Sequence, residues 1–143
     1  MSPSTGSADP SRGPAGRLGL AQGQVVLELG HDDDSDAGLL ADIVALTERA
    51  LVDDAYDDVV DVVLLWWREG DGDLVDDLVD ALTFLVDGGV VWLLTPKAGR
   101  DGHVEPSDIG EAAPTAGLSQ TSSVSAAAEW SGTRLVAPRS ARR

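Results

Sequence analysis

The stretch that decides the fold is V-V-L-E-L-G at residues 25–30, and H-D-D-D-S-D follows it directly at residues 31–36. An apolar strand that ends in an acidic residue and a glycine is typical of the ligand loop of nucleotide-binding α/β domains. In those loops further glycines let the backbone approach the ligand, whereas this chain has Asp32 and Asp34. The strand therefore predicts a ligand-binding α/β fold, and the aspartates predict that the usual ligand has been lost.

The composition limits the class of protein that this chain can form. Its 143 residues, 43% of them hydrophobic, suffice for one domain with a real core. The absence of cysteine excludes disulfides, thiolate metal sites and a cysteine nucleophile. No signal peptide is visible, and the longest apolar run, residues 62–67, is far shorter than the ~20 residues that span a bilayer. We therefore expect a cytoplasmic protein without a membrane partner.

The net charge of −15 is concentrated in the body of the chain. Residues 28–87 hold 19 carboxylates against only Arg49 and Arg68. Such a surface repels nucleic-acid phosphates, so we expect no nucleic-acid partner. Solubility, or adaptation to a salty or crowded cytoplasm, also explains this acidity, and the sequence does not decide whether it serves a function.

The pattern of apolar and polar residues divides the chain into three parts. Residues 1–16 have almost no large apolar side chain and are predicted to be a disordered leader. Residues 17–138 are predicted to form a single α/β domain, and residues 139–143 a basic tail. Asp36 and Asp73 are the expected N-caps of the first two helices. The predicted helices cover residues 37–50, 74–86 and a short segment from 107, and the predicted strands cover 25–29, 59–67, 90–94, 120–126 and 133–137.

This order of elements predicts a reduced Rossmann-like α/β domain with three layers. Its sheet of about five strands is mainly parallel and ends in an antiparallel C-terminal pair. The first strand is expected at a sheet edge, a position that allows pairing across a dimer, and the sequence leaves the oligomeric state open.

The same segments resemble class I methyltransferases over residues 18–138. G-Q-V-V-L-E-L-G at 23–30 resembles their first strand and its glycine, and D-V-V-D-V-V-L-L at 58–65 resembles a later strand that begins with an acidic residue. V-D-G-G-V-V-W-L-L-T-P-K at 86–97 resembles the segment in which a glycine pair precedes the next strand. A-G-L at 116–118, followed by two strands, resembles their antiparallel end. The resemblance implies a methyltransferase-like fold.

A closer resemblance is to the domain-of-unknown-function family thirty fifty-two of high-GC bacteria, which has no assigned activity. The chain is similar to that family in three segments: L-L-W-W-R-E-G-D-G-D-L-V-D-D-L-V-D-A-L at 64–82, W-L-L-T-P-K-A-G-R-D-G-H-V-E-P-S-D-I at 92–109 and W-S-G-T-R-L-V-A-P at 130–138. This resemblance supports the fold and leaves the function open.

Two parts of the methyltransferase cofactor site are absent from this chain. The 28 residues between Gly30 and Val59 leave room for one helix and a turn, where a complete methyltransferase has two further strand–helix units. One of those strands carries the acidic residue that holds the cofactor ribose, so no position here inherits this role. Asp32 and Asp34 also stand at the second and third glycine positions of the loop. No cofactor is therefore predicted.

Eight residues are predicted to meet at the carboxyl ends of the parallel strands, where open sheets bind ligands. Three of the five basic residues in the acidic body fall there, which indicates a pocket for a carboxylate or phosphate with a tryptophan as its wall. The alternative is that these cations only neutralise neighbouring aspartates. The candidate ligand-binding residues are Gly30, His31, Asp32, Trp67, Arg68, Lys97, Arg100 and His103.

No catalytic residue and no metal site are predicted. His31 and His103 are the only histidines, and both lie on predicted loops, where a solvated side chain is favoured over a general base. No activated nucleophile and no short-spaced histidine pair are present. Trp130, in the predicted hairpin loop, is expected to be exposed and to mark a partner surface.

The preferred hypothesis is a non-catalytic interaction or ligand-sensing domain with a degenerate cofactor loop. It would act on a protein partner or a small anionic ligand. One alternative is a small-molecule or anion-binding enzyme that uses Lys97, Arg100 and His103. A second alternative is an S-adenosylmethionine-binding, methyltransferase-like protein.

Overall fold

The computed structural model describes residues 14–139, within which four helices and five strands are formed. The helices are α1 (Pro14–Arg17), α2 (Ala37–Thr47), α3 (Leu74–Leu82) and α4 (Pro106–Thr115). The strands are β1 (Val26–Leu29), β2 (Val60–Trp66), β3 (Leu85–Pro96), β4 (Ser119–Ser125) and β5 (Trp130–Val136). None of the described helices is long and apolar enough to cross a membrane.

The predicted ends of the chain coincide only partly with the described residues. Residues 14–16, which we assigned to the leader, belong to α1, because Ala15 is fully buried beside Leu18 against the sheet and α2. The rest of the predicted leader, residues 1–13, and residues 140–143 of the predicted tail lie outside the described residues.

The strands form one sheet in the order β1-β2-β3-β5-β4. β1, β2 and β3 are parallel, and β5 lies antiparallel between β3 and β4. This is the predicted α/β architecture, a mainly parallel Rossmann-like sheet with antiparallel C-terminal strands. Because β1 to β3 are parallel, their carboxyl ends lie at one edge of the sheet, where ligands bind in folds of this type.

Helices cover both faces of the sheet and separate two hydrophobic cores. α1 and α2 pack on one face, and α3 and α4 pack on the other. Trp66 and Trp67 are buried on opposite faces, as strand alternation predicts. Trp92 is also buried, as predicted, and its indole N–H donates to the Leu18 carbonyl at 2.9 Å.

The first long helix, α2, begins where the sequence predicts and ends earlier. The Asp36 carboxylate accepts from the Leu39 N–H at 2.8 Å, which confirms the N-cap. α2 ends at Thr47 rather than near Ala50, because Glu48 adopts a left-handed φ of 60°. The buried Thr47 hydroxyl donates to the Ile43 carbonyl at 2.8 Å, so the hydroxyl finds its hydrogen-bond partner within the last turn of the helix.

The boundary between α3 and β3 also differs from the prediction. α3 ends at Leu82 instead of continuing to about Val86, because the N–H groups of Thr83 and Phe84 bond back three residues at 3.1 Å. Leu85 then pairs with Val60, and the register shifts before Val90 pairs with Val62. The glycine pair at 88–89 therefore lies within an irregular part of β3 and does not terminate the helix.

The outer edge of β1 is covered by a single residue from the loop after α2. The Val52 N–H donates to the Val26 carbonyl, and the Glu28 N–H donates to the Val52 carbonyl, both at 3.0 Å. The middle of β1 is therefore already paired, in contrast to the free edge that the sequence led us to expect.

Candidate functional site

The side chain of Arg68 spans the carboxyl ends of β1 and β2. Its guanidinium donates to the Asp34 carboxylate through Nε at 3.1 Å and through Nη2 at 2.5 Å. Nη1 donates to the Gly30 carbonyl at 2.9 Å and lies 3.4 Å from the Asp71 carboxylate. Only 14% of the Arg68 side chain is exposed. This bidentate interaction between guanidinium and carboxylate fixes the orientation of both groups. The two loops are therefore joined by charge-assisted hydrogen bonds.

This pairing favours the charged forms of both partners. Hydrogen bonds from Arg68 hold the pKa of Asp34 below its ordinary value, against the smaller opposing effect of burial. The hydrogen bond to Asp34 in turn raises the pKa of Arg68. Both groups therefore remain ionised at neutral pH.

Trp130 lies beneath the ion pair, and its predicted exposure is wrong. It is the first residue of β5 and is only 4% exposed. The Arg68 guanidinium carbon lies 5.3 Å from the centre of its ring, and its indole N–H donates to the Asp34 carbonyl at 3.2 Å. Trp66 meets it edge to face, with ring centres 4.8 Å apart. Both partners keep water from Trp130, so it does not mark a partner surface.

Gly30 brings the ends of β1 and β2 into direct backbone contact. Its φ is +80°, and a Cβ at this position would lie 2.2 Å from the Trp66 carbonyl oxygen. Glu28 reinforces the contact, because its carboxylate accepts from Trp66 Nε1 at 2.8 Å. The same carboxylate lies 2.7 Å from Nδ1 of His31, whose side chain is 56% exposed. Of the predicted site residues, Gly30 therefore serves backbone packing, and His31 is a largely solvated side chain.

Asp32 stabilises the loop after β1. Its carboxylate accepts from the Asp33 N–H at 2.8 Å. Its N–H donates to the Ser35 hydroxyl, and its carbonyl accepts from the Ser35 N–H, both at 3.0 Å. The loop is therefore a compact turn that uses its own polar groups, unlike a glycine-rich loop that presents them to a ligand.

Trp67 lies at an acidic groove of about 420 Å³ on the α3 face, and Leu29 and Gly30 at the end of β1 also line it. The Trp67 indole N–H donates to the Asp77 carboxylate at 2.8 Å. Asp54, Asp71 and Asp80 also line the groove, so Trp67 lies among acidic residues and not among the cations we predicted beside it. Among residues 14–139, no group of three or more metal-ligating side chains is placed to hold a metal ion.

The remaining candidate residues lie beyond the end of β3. Arg100 forms an ion pair with Glu129 at 2.9 Å. Lys97 Nζ donates to the Ser125 hydroxyl at 2.6 Å, and His103 Nδ1 lies 2.9 Å from the Pro96 carbonyl. The predicted site is thus divided into an ion-paired group at the ends of β1 and β2 and a second group at the end of β3.

A cavity of about 340 Å³ lies between α4 and the C-terminal strands, beside His103. Its walls are rich in hydroxyl groups that the sequence analysis did not single out. The sequence of β4, S-Q-T-S-S-V-S, could have indicated this polar wall, because five of its residues carry a hydroxyl group. The polar lining comprises Thr95, His103, Gln120, Ser123, Ser125, Ser131 and Thr133.

Residues 15–139 match the family described as Protein of unknown function (DUF3052). The chain belongs to this family. Two relatives of this DUF3052 protein are the uncharacterized proteins Rv2239c of Mycobacterium tuberculosis and Mb2263c of Mycobacterium bovis. Each is 50% identical over 134 residues, which cover 94% of this chain and 84% of the relative. The resemblance stated from the sequence is confirmed.

Solved methyltransferase structures share the fold of this DUF3052 chain. An S-adenosylmethionine-dependent methyltransferase from Aquifex aeolicus gives a TM-score of 0.55 at 15% identity, covering 90% of this chain and 89% of that one. A methyltransferase from Pyrococcus furiosus gives a TM-score of 0.51 at 16% identity, covering 87% and 83%. At these identities the likeness establishes a methyltransferase-like fold alone.

Proposed function

We propose that this DUF3052 protein is a non-catalytic interaction or ligand-sensing domain in which Arg68 closes the crevice between the loop after β1 and the end of β2, while the acidic groove beside Trp67 stays open. The observation that supports this most directly is the position of Arg68. Its guanidinium bonds the Gly30 carbonyl and the Asp34 carboxylate, and it is largely shielded from water. Arg68 thereby joins the loop after β1 to the end of β2, at the edge where folds of this type bind their ligands.

The residues at this edge do not fit S-adenosylmethionine, which the magnesium protoporphyrin IX methyltransferase from Synechocystis contains in its solved structure. A cofactor seated at the first loop needs backbone groups that it can approach closely. Here the Gly30 backbone lies against the Trp66 carbonyl, and Asp32 and Ser35 use the polar groups of the loop for its own turn.

Opening the crevice carries a substantial energetic cost. A ligand between the two loops would have to replace the bonds from Arg68 to Asp34 and Gly30. Loss of two hydrogen bonds that involve charged groups costs about 3 kcal/mol. That cost weakens a ligand by about two orders of magnitude in Kd. The bonds from Arg68 thus disfavour a ligand seated between these two loops.

A role in catalysis finds little support among the remaining polar groups of the edge. His31 contacts Glu28 and is mostly solvated, so it is not held against any enclosed space. The cations Arg68 and Arg100 are both engaged with carboxylates. Binding to a partner or to a small ligand is therefore the function we favour over methyl transfer.

Calorimetric titration of the full chain with S-adenosylmethionine and S-adenosylhomocysteine tests this proposal. We expect no saturable binding at concentrations up to about 1 mM for the wild type. Arg68→Ala removes the bonds that hold the crevice closed, so any gain in binding should appear in this variant. Arg100→Ala is the matched control and should show no gain, because it breaks an ion pair elsewhere on the edge. Micromolar binding to the wild type, or formation of S-adenosylhomocysteine in a screen of methyl acceptors, would overturn the proposal.

A further inference from the structure

We propose that the cavity between α4 and the C-terminal strands binds a small carboxylate that also carries a hydrogen-bond donor, as hydroxy acids do. The cavity involves none of the residues that close the Arg68 crevice. The inference therefore stands or falls independently of the proposed function.

The size and wall of the cavity suit a small polar molecule. Its volume of about 340 Å³ falls within the range of small-ligand sites. Val104, Ile109 and Val124 provide an apolar wall for a short carbon skeleton, and the hydroxyl groups of β3, β4 and β5 provide polar contacts around it. This combination of an apolar wall with a few polar groups is typical of ligand pockets.

Two hydroxyl groups in the wall have no partner within the described part of the chain. Thr95 and Thr133 are 3% and 5% exposed, and both line the cavity. No hydrogen bond joins either hydroxyl to another group among residues 14–139, and neither oxygen is sealed away from the cavity. Each hydroxyl therefore opens onto the cavity and can bond to a polar occupant there.

Lys97 lies outside the cavity wall, but its ammonium is 2.6 Å from the hydroxyl of a residue that lines the cavity. That residue is Ser125, whose hydroxyl accepts a hydrogen bond from the ammonium. Among residues 14–139 no carboxylate lies within 4.0 Å of Lys97 Nζ, whereas Arg100 is paired with Glu129. In a chain with a net charge of −15, an ammonium without a carboxylate partner is the natural anchor for an anionic head group.

His103 supplies an acceptor in the same cavity. A carbonyl oxygen only accepts, so the 2.9 Å contact with Pro96 places the ring proton on Nδ1. With that proton on Nδ1, Nε2 is the nitrogen left to accept a hydrogen bond, and the nearest carboxylate oxygen, on Glu105, is 3.9 Å away on a side chain that is 72% exposed. A ligand with a carboxylate and a donor hydroxyl therefore matches Lys97 and His103 together.

Calorimetric titration of the full chain with lactate, propionate and inorganic phosphate tests this assignment, because lactate and propionate differ only in the hydroxyl. We expect lactate to bind about tenfold more tightly than propionate. Lys97→Met should weaken both by about tenfold or more. His103→Asn retains a donor to the Pro96 carbonyl and removes Nε2, so it should abolish the preference for lactate while propionate binding is unchanged.

Arg49→Met is the matched control, since it removes an exposed cation that does not line the cavity and should leave every affinity unchanged. Thermal unfolding of each variant establishes that it is folded. The proposal is overturned if the wild type binds lactate no better than propionate or phosphate, or if Lys97→Met binds as the wild type does. It is likewise overturned if no carboxylate gives saturable binding below about 10 mM.

Discussion

The guanidinium of Arg68 lies on the ring of Trp130, 5.3 Å from its centre, while Asp34 holds the same guanidinium from the side. Three segments far apart in sequence thus meet at one point: the loop after β1, the end of β2 and the start of β5. A cation over an indole contributes about 1 kcal/mol, and more where water is excluded. The carboxyl edge of the sheet is therefore a structural junction in this protein.

Replacement of Arg68 by Met is expected to lower the free energy of unfolding by about 2 kcal/mol, because the Gly30 carbonyl and the Asp34 carboxylate lose a charged donor. Urea denaturation measures this. Arg100→Met is the control, since its ion pair with Glu129 is about half exposed and contributes about 1 kcal/mol or less. Equal losses for the two variants would contradict a special role for Arg68.

Replacement of Gly30 by Ala is expected to destabilise the protein by about 3 kcal/mol or more, because the new Cβ would meet the Trp66 carbonyl at 2.2 Å in a left-handed backbone conformation. Gly23→Ala provides a matched comparison. Gly23 also has a positive φ, +90°, but nothing lies within 4 Å of its Cβ position, so only the backbone cost of about 1–2 kcal/mol remains. Thermal and urea unfolding distinguish the two, and similar losses would rule out the backbone clash.

Stability should depend on the ionisation of Asp34 at acidic pH. Arg68 lowers the folded-state pKa below the ordinary 3.8, so the ionised carboxylate stabilises the fold at pH values above 3.8. That stabilisation is lost as the pH falls through the folded pKa. The side chain is 49% exposed, so water and salt limit the effect to about 1 kcal/mol or less.

Unfolding of the wild type and of Asp34→Asn at several pH values checks this. The wild type should be more stable at pH 7, and the difference should shrink as the pH falls below 3.8. Asp33→Asn, which changes a neighbouring carboxylate outside the Arg68 pair, should give no such pattern. A difference that stays constant across the range would contradict the expectation.

Replacement of Glu28 should separate a lost acceptor from a lost charge. Trp66 is 1% exposed, and its indole N–H donates to the Glu28 carboxylate. Glu28→Leu leaves that donor buried without an acceptor and should cost about 1–3 kcal/mol, whereas Glu28→Gln retains an acceptor oxygen and should cost clearly less. Urea denaturation compares the two. If Glu28→Gln lowers the free energy of unfolding as much as Glu28→Leu does, the hydrogen bond to Trp66 is not the source of the stabilisation by Glu28.

Much of the fold follows from local patterns, because parallel strands that are covered on both faces must be apolar. The runs in β2 and β3, the Asp36 and Asp73 caps and the opposite placement of Trp66 and Trp67 were all predictable in this way. The end of α3 was not predictable, since the apolar pattern continues into Leu85 while backbone bonds at Thr83 and Phe84 already close the helix.

The candidate site was predictable only in its position. Strand topology places Gly30 and Arg68 at the same edge, and they meet at 2.9 Å. Nothing local indicates that Asp34 is the partner of Arg68, or that a tryptophan from the C-terminal hairpin lies beneath them, because these contacts depend on the three-dimensional arrangement of distant segments. The hydroxyl groups around His103 were visible as a serine-rich strand, but their shared cavity appears only when α4 packs over β4 and β5.

The bridge between Val52 and β1 bears on how a domain with so few strands protects the edge of its sheet. An unpaired edge strand exposes backbone donors and acceptors that can pair with strands of other molecules and promote aggregation. In this protein a single residue, bonded to Val26 and Glu28, serves as a terminal rung of the ladder. A fold without the strands that normally extend beyond the first one thereby leaves a shorter unpaired edge on that side.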